Sequence, residues 1–149
     1  MSTPPAGPPA TAPIGMTLDR VAKVASRAFD DALVAAGGSR PVWLILLALT
    51  INAEANQRQL AEFVGIQGAT LTHHLNAMES AGLVTRARDA NNRRSHVVRR
   101  TPAGDQLFHQ LRGAAVAFDA QLRAGLSEKE IDTLTRLLTR LGANASGTS

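Results

Sequence analysis

Residues 67–101 read QGATLTHHLNAMESAGLVTRARDANNRRSHVVRRT, and this stretch decides the fold. At ~100° per residue, Leu71, Leu75 and Met78 lie within about 60° of one another on a helix. A helix with one apolar stripe packs that stripe against a core and leaves its opposite face in solvent. Gly82 then ends the helix, because glycine adopts the left-handed conformation of a helix C-terminus without strain. We therefore expect an amphipathic helix over the first half of this stretch.

A basic hairpin follows the helix. Its first strand begins at Leu83, residues 89–92 have the composition of a turn, and residues 96–100 form the returning strand. Fourteen of the 16 basic residues in the chain are arginine, and six of them lie between Arg86 and Arg100. A charge run is often only a solvated surface, but guanidinium groups are also well suited to phosphates and narrow grooves. The surrounding fold has to distinguish these two interpretations.

A short helix precedes the stretch. Asn56 and Gln59 have the spacing of a capping box, and residues 65–67 form a tight turn. Two helices joined by such a turn and followed by a basic hairpin have the order of a winged helix-turn-helix. In that arrangement the second helix lies in the major groove of DNA. The sequence thus predicts a unit over residues 40–101 that binds double-stranded DNA.

The outer face of the second helix carries small or hydrogen-bonding side chains, as a base-reading surface requires. Asn76 is able to pair bidentately with adenine, and threonine can bond a phosphate or touch a thymine methyl group. An ordinary polar surface helix is the alternative interpretation. The candidate contacts on this recognition helix are Gln67, Ala69, Thr70, Thr72, His73 and Asn76.

The hairpin, or wing, acts through charge. Arg93 and Arg94 lie at its tip, where they can enter a minor groove and exploit its negative potential. The stem arginines are expected to contact phosphates, which gives salt-dependent affinity and little sequence choice. These stem residues are Arg86, Arg88, Arg99 and Arg100. The candidate DNA contacts on the wing are Arg86, Arg88, Arg93 and Arg94.

The rest of the chain is also predicted to be helical. Residues 42–49 are apolar on every side, so their helix must be surrounded by core. Thr17 is the expected N-cap of a first helix. Thr101 before a proline starts a fifth helix, and Ser127 with Glu130 forms the capping box of a sixth.

We expect one domain of mainly α class with an α+β wing, a winged helix-turn-helix with N- and C-terminal dimerisation helices. A Pro/Ala-rich lead and a small polar tail are expected to be disordered. The expected segments are a disordered lead (1–16), a single domain (17–142), its winged helix-turn-helix (40–101), dimerisation helices (17–37 and 102–142) and a disordered tail (143–149).

The flanking helices carry apolar stripes that a small winged helix cannot cover. Leaving one Leu or Phe side chain in water forgoes ~1.5–3 kcal/mol. A two-fold dimer in which these helices interlock buries the stripes, so we expect a homodimer. A monomer whose terminal helices fold back on the domain is the alternative.

Composition and motifs limit the other functions. With 44% hydrophobic and 3% aromatic residues the chain favours an aliphatic, helix-rich core, and it has no cysteine. No apolar run approaches the ~18 residues of a membrane span, and the N-terminal residues lack a secretory pattern, so a cytoplasmic protein is expected. His73 and His74 are ~100° apart on a helix, which disfavours a metal site. We expect no enzyme activity, no catalytic residue, no metal and no cofactor.

The pattern over about Thr17 to Leu141 resembles the MarR family of bacterial regulators. Its most specific stretch is residues 68–86, and residues 92–94 and 101–104 follow at the family's spacing. The resemblance implies a homodimer on a palindromic operator, usually acting as a repressor. It also implies release when a small aromatic or phenolic effector binds between the DNA-binding domain and the dimerisation helices.

Candidate residues for an effector pocket are Trp43, Leu47 and His109, although side chains between helices usually belong to the core. A winged-helix module that binds a small ligand or a protein, without recognising an operator, is the alternative function.

Two positions depart from the family pattern. The family commonly has Asp where Asn92 stands, and that acid holds the wing arginine equivalent to Arg94. Either Arg94 is held less firmly here, or Asp89 holds it instead. The family also prefers Leu at the position of Arg100, which affects how the second wing strand packs.

Overall fold

The computed structural model describes residues 12–92 and 94–147. Its strands form one antiparallel sheet in the order β1-β3-β2, in which β2 and β3 are the wing. The predicted fold class, mainly α with a small β wing, is confirmed. The elements are α1 (Ile14–Ala35), α2 (Arg40–Ile51), β1 (Glu54–Asn56), α3 (Gln57–Val64), α4 (Gly68–Ser80), β2 (Val84–Arg88), β3 (His96–Arg100), α5 (Pro102–Arg123) and α6 (Glu128–Ser146).

Helix α2 lies at the centre of the core. The Ser39 hydroxyl accepts a hydrogen bond from the Val42 amide, which caps the helix, and a proline occupies its first turn. The predicted stripe of α4 faces the same core, because its three apolar side chains are buried. The buried residues of α2 are Ile45, Leu46, Ala48 and Leu49, and those of α4 are Leu71, Leu75 and Met78.

The wing matches the predicted hairpin, but strand β1 was missed. Ala55 of β1 lies opposite Val98 of β3, and both side chains are buried. The prediction failed because a three-residue Glu-Ala-Asn strand has neither the length nor the β-branched composition of a strand signal. Strand β1 positions the site, since it ties β3, the middle strand of the sheet, to the start of α3.

Two helix boundaries differ from the prediction. Helix α1 begins at Ile14 after Pro13 and has no side-chain cap, so the prediction of Thr17 as N-cap is wrong. Helix α6 continues to Ser146 and ends at Gly147, which has a φ of 67°. Its small residues are compatible with helix and no proline stops it. Residues 14–16 and 143–146 are therefore helical, and the remainder of the expected lead and tail, 1–11 and 148–149, lies outside the described residues.

Helix α5 joins the wing to helix α1. At its first turn, a Cβ on Gly104 would lie 2.1 Å from the Leu83 carbonyl oxygen, so only glycine allows this approach to the base of the wing. Further along, the rings of Phe29 and Phe118 lie 5.3 Å apart and pack α1 against α5. The wing is thereby fixed to both the core and the flanking helices.

The flanking helices leave large apolar side chains in solvent. Helix α6 buries no side chain, although its sequence is strongly amphipathic. Among the described residues, no single helix is long and apolar enough to span a membrane, while α1 and α2 reach that size only as a pair bent by 78°. The exposed apolar residues of α1, α5 and α6 include Val21, Val24, Val116, Leu122, Leu134, Leu137 and Leu138.

Candidate nucleic-acid interface

Helices α3 and α4 form the helix-turn-helix pair. The predicted capping box of α3 is confirmed, since Asn56 and Gln59 each bond the other's backbone amide. The turn after α3 passes through Gly65, whose φ of 75° is accessible to glycine without strain. An open groove of about 760 Å³ separates the two helices and exposes the first turn of α4. Helix α4 is therefore presented on the outside of the domain.

The structure exposes most of the predicted recognition surface. Thr72 is half-buried, and its hydroxyl donates to the Gly68 carbonyl and accepts from Gln57 Nε2 at 3.3 Å. The Thr72 hydroxyl is therefore engaged within the protein, where it ties α3 to α4. The exposed candidates are Gln67, Ala69, Thr70, His73 and Asn76.

Arg86 does not extend into solvent. Its Nη2 donates to Asn76 Oδ1 at 2.6 Å, and its Nε and Nη2 bond the two carboxylate oxygens of Glu79 at 3.3 and 3.2 Å. The Arg86 side chain is only 18% exposed as a result. The hydrogen bond from Arg86 holds the pKa of Glu79 below its usual range, against the opposing effect of desolvation. Arg86 therefore clamps the second half of α4 to the wing.

The other stem arginines on β3 are also paired. Arg99 bonds Glu54, which lies directly opposite it on β1. Arg100 bonds Asp105 at 2.8 Å, and its guanidinium lies 5.0 Å from the centre of the Phe108 ring. The expectation that these two residues contact phosphates is not supported, because nearby acids hold both of them against the protein. We call Arg86, Arg99 and Arg100 the paired arginines.

The contacts of Arg100 explain how arginine can occupy a position where the family prefers leucine. Its planar head stacks on Phe108, and its Nη1 donates to the Thr50 hydroxyl of α2. Stacking on an aromatic ring lets arginine supply the packing that leucine would supply. Arg100 therefore joins the second wing strand to α2 and α5.

Two of the described wing arginines have no acidic partner. Arg88 and Arg94 are exposed and form no salt bridge in the part of the chain that the structure describes; we call them the unpaired arginines. Asp89 does not hold Arg94, because its carboxylate accepts from the Asn91 amide at 2.9 Å. Asn92 caps the turn instead, since its Oδ1 accepts from the Arg94 amide at 3.1 Å. The predicted tip contact Arg93 lies outside the described residues.

The candidate effector residues do not surround an open space together. Trp43 stacks on Phe108, with ring centres 5.4 Å apart and planes 8° apart, and Leu47 packs against the core. His109 is exposed on α5, next to Phe108. Trp43 and Leu47 are therefore part of the packed interior, and His109 is a surface side chain.

A different space, an open groove of about 340 Å³, lies between α1, the start of α2 and α5. Arg40 lies at its edge, 5.3 Å from the centre of the Phe29 ring and bonded to Asp30 at 2.7 Å. Sequence reasoning missed it because its residues come from three helices, with no motif in common. Its lining is Ala25, Ser26, Phe29, Arg40, Ala115, Phe118, Asp119 and Leu122.

Comparison with known proteins identifies the winged-helix region. Residues 39–96 match the model of the MarR family. The winged-helix region therefore has the sequence pattern of the MarR family. The match spans α2 to the start of β3, which is the unit that holds the recognition helix and most of the wing.

Solved structures of this family share the fold over most of the chain. The transcriptional repressor CouR, bound to a 23-mer DNA duplex, is 24% identical with a TM-score of 0.77, covering 87% of this chain and 92% of that one. A MarR-family regulator from Rhodococcus sp. RHA1 is 25% identical with a TM-score of 0.72, covering 86% and 91%. A mutant MarR from E. coli, complexed with operator DNA, is 22% identical with a TM-score of 0.75, covering 87% and 93%.

Proposed function

We propose that this chain is a transcriptional regulator that binds a palindromic operator as a homodimer. One observation carries the proposal: the exposed face of α4 lies beside a wing whose arginines Arg88 and Arg94 have no acidic partner in the described chain. A helix with small and hydrogen-bonding side chains fits the major groove, and free guanidinium groups beside it suit phosphates or the adjacent minor groove. The match of residues 39–96 to the MarR family and the likeness of the fold to structures solved in complex with DNA support this proposal.

The apolar surfaces of the flanking helices support the dimer. Helix α6 buries no side chain within one chain, and its Leu134, Leu137 and Leu138 are each more than two-fifths exposed. Burying such residues against a second copy recovers ~1.5–3 kcal/mol for each one. A two-fold dimer then places two copies of α4 about one helical turn of DNA apart, which suits a palindrome.

Ligand-controlled repression is the finer part of the proposal. The open groove between α1, α2 and α5 is large enough for a small aromatic molecule, and it combines Phe29 and Phe118 with the guanidinium group of Arg40. A phenolic ring suits this lining better than an anionic one, because Arg40 already bonds Asp30 and Asp119 adds a second carboxylate, while the phenylalanine rings contact the apolar face. The pocket predicted from sequence, Trp43, Leu47 and His109, requires the Trp43–Phe108 stack to open.

The experiment is selection of bound fragments from genomic DNA with the purified protein, followed by titration of the enriched sequence. We expect an inverted repeat, two chains per site and release by a small phenol. Failure to enrich any sequence above random DNA contradicts operator recognition and favours the module that binds a protein or ligand instead.

The dimer has its own matched pair of variants. Leu138→Glu places a charge on the apolar stripe of α6, and we expect it to produce monomers that lose operator binding. Arg136→Glu places the same residue on the opposite face of the helix at ~100° per residue and should leave the dimer intact. Analytical ultracentrifugation distinguishes the two, and a Leu138→Glu protein that remains dimeric contradicts the proposed interface.

A further inference from the structure

The side-chain amide of Asn76 is oriented by the protein. Asn76 lies on the exposed face of α4, and its Oδ1 accepts from Arg86 Nη2 at 2.6 Å. A guanidinium group has only donors, so the amide atom that faces it must be the oxygen. The amide nitrogen of Asn76 therefore lies on the side away from Arg86.

Arg86 is itself held in place. Both carboxylate oxygens of Glu79 accept from its planar head, and the side chain is 18% exposed. A planar guanidinium group that bonds two partners is held in one orientation more firmly than a group with a single hydrogen bond. The orientation of Asn76 is consequently set before any DNA arrives.

We infer that Asn76 reads its base as a hydrogen-bond donor only, with Arg86 as the positioning residue. The bidentate pair with adenine expected from the sequence needs Oδ1 to accept from the adenine amino group. One lone pair of that oxygen accepts from a charged donor, which directs the oxygen toward Arg86, and turning the amide toward a base would break a bond about twice as strong as a neutral one. The free Nδ2 suits an acceptor, such as N7 or O6 of guanine, N7 of adenine or O4 of thymine. This inference rests on the proposed function and specifies how one residue of that surface selects sequence.

The first test uses the wild-type protein and modified operators. The relevant base pair is the one whose preference disappears in Asn76→Ala. With adenine at that position, replacement by purine removes the amino donor, and replacement by 7-deazaadenine removes the N7 acceptor. A donor-only Asn76 predicts unchanged affinity for purine and a loss of roughly fivefold or more for 7-deazaadenine. Asn76→Ala, measured on the same duplexes, corrects for effects of the analogues on the DNA itself.

The second test changes the positioning residue. Arg86→Met removes the donors and frees Oδ1, so we expect the preference at this one position to shift toward adenine by roughly fivefold. Arg86→Lys keeps a donor for Oδ1 and should retain the wild-type preference. Arg99→Met removes a paired arginine that bonds Glu54 and does not touch α4, so it should shift no preference. Thermal unfolding shows which variants fold, and the analogue test does not depend on any of them.

Three results overturn the inference while leaving the proposed function intact. One is an equal loss with purine and 7-deazaadenine, which indicates a bidentate Asn76. Another is a folded Arg86→Met protein with the wild-type preference at every position. An operator whose preferences are all unaffected by Asn76→Ala also overturns it, because Asn76 then reads no base. Absence of any specific DNA binding by the wild type is instead a failure of the proposed function.

Discussion

The paired and unpaired arginines of the wing share a residue type and differ in what surrounds them. Arg86, Arg99 and Arg100 each bond an acid contributed by another element, namely Glu79, Glu54 and Asp105. Arg88 and Arg94 have no such acid among the described residues and extend into solvent.

This difference separates two uses of charge. A guanidinium bonded to a carboxylate has some of its donors occupied and part of its positive charge neutralised within the protein, so it offers less to a phosphate. A free guanidinium releases counterions from DNA when it binds. We therefore infer that the paired arginines build the wing and that, among the described residues, the unpaired arginines are available for DNA. The density of arginine in the sequence overstates the charge offered to a nucleic acid.

The largest effect that we predict concerns the base of the wing. It tests whether the part of the wing that holds the paired arginines depends on its contact with α5. In Gly104→Ala the new Cβ would lie 2.1 Å from the Leu83 carbonyl oxygen, so the backbone must move. We expect the free energy of unfolding to fall by about 2–3 kcal/mol, as for other overpacked sites. Gly113→Ala on the same helix has open space around its Cβ and should be neutral or stabilising. Chemical denaturation measures both, and equal stabilities would contradict this anchorage.

The next prediction concerns Arg100. Arg100→Ala removes the bond to Asp105 and the stack on Phe108, so we expect a loss of about 1–2 kcal/mol in the free energy of unfolding. Arg100→Leu restores apolar packing on the ring and should lose less. If Arg100→Ala unfolds at the same denaturant concentration as the wild type, the structural role of this paired arginine is refuted.

The role of the unpaired arginines is tested by measuring DNA binding instead of stability. Arg94→Ala should weaken operator binding about tenfold and reduce the magnitude of the log–log salt slope by about 1.8, about 0.9 for each of the two copies in the dimer, with unfolding unchanged. Arg99→Ala should change both binding quantities less, because Glu54 already holds Arg99. Fluorescence anisotropy over a series of salt concentrations provides both values. A larger loss of binding in Arg99→Ala than in Arg94→Ala would contradict the proposal that unpaired arginines contribute more to DNA binding than paired ones.

The fold was predictable from sequence where local signals are strong. The three-residue spacing in Asn56–Gln59 and in Ser127–Glu130 predicted two capping boxes that the structure confirms. The apolar stripe of α4 predicted its buried face in the same way. Strand β1 was not predictable, because it is stabilised by pairing with β3 and not by its own composition.

The candidate site was less predictable than the fold, because ion pairing depends on contacts distant in sequence. Arg99 and its partner Glu54 are 45 residues apart, and nothing local distinguishes Arg99 from Arg94. Spacing also placed Asn76 on the outer face of α4 but could not indicate that Arg86 orients its amide. Helical periodicity tells which way a side chain faces, while its hydrogen-bond partners require the assembled tertiary structure.

The smallest effect we predict is a pH dependence from the Arg86–Glu79 pair. The pKa of Glu79 is lowered in the folded protein, mainly by its hydrogen bond from Arg86. A lowered folded pKa means that the pair stabilises the fold above the unfolded pKa of about 4.5, and that this contribution is lost as pH falls through the folded value. The stability difference between wild type and Glu79→Gln should therefore shrink as the pH is lowered from 6 to about 3. The same pH dependence should be absent when the two proteins also carry Arg86→Met, since the donor that lowers the pKa is gone. A difference that stays constant with pH would show that the contact between Arg86 and α4 does not depend on the charge of Glu79. Arg86 would then resemble the unpaired arginines, in that no charged acid would hold it in place.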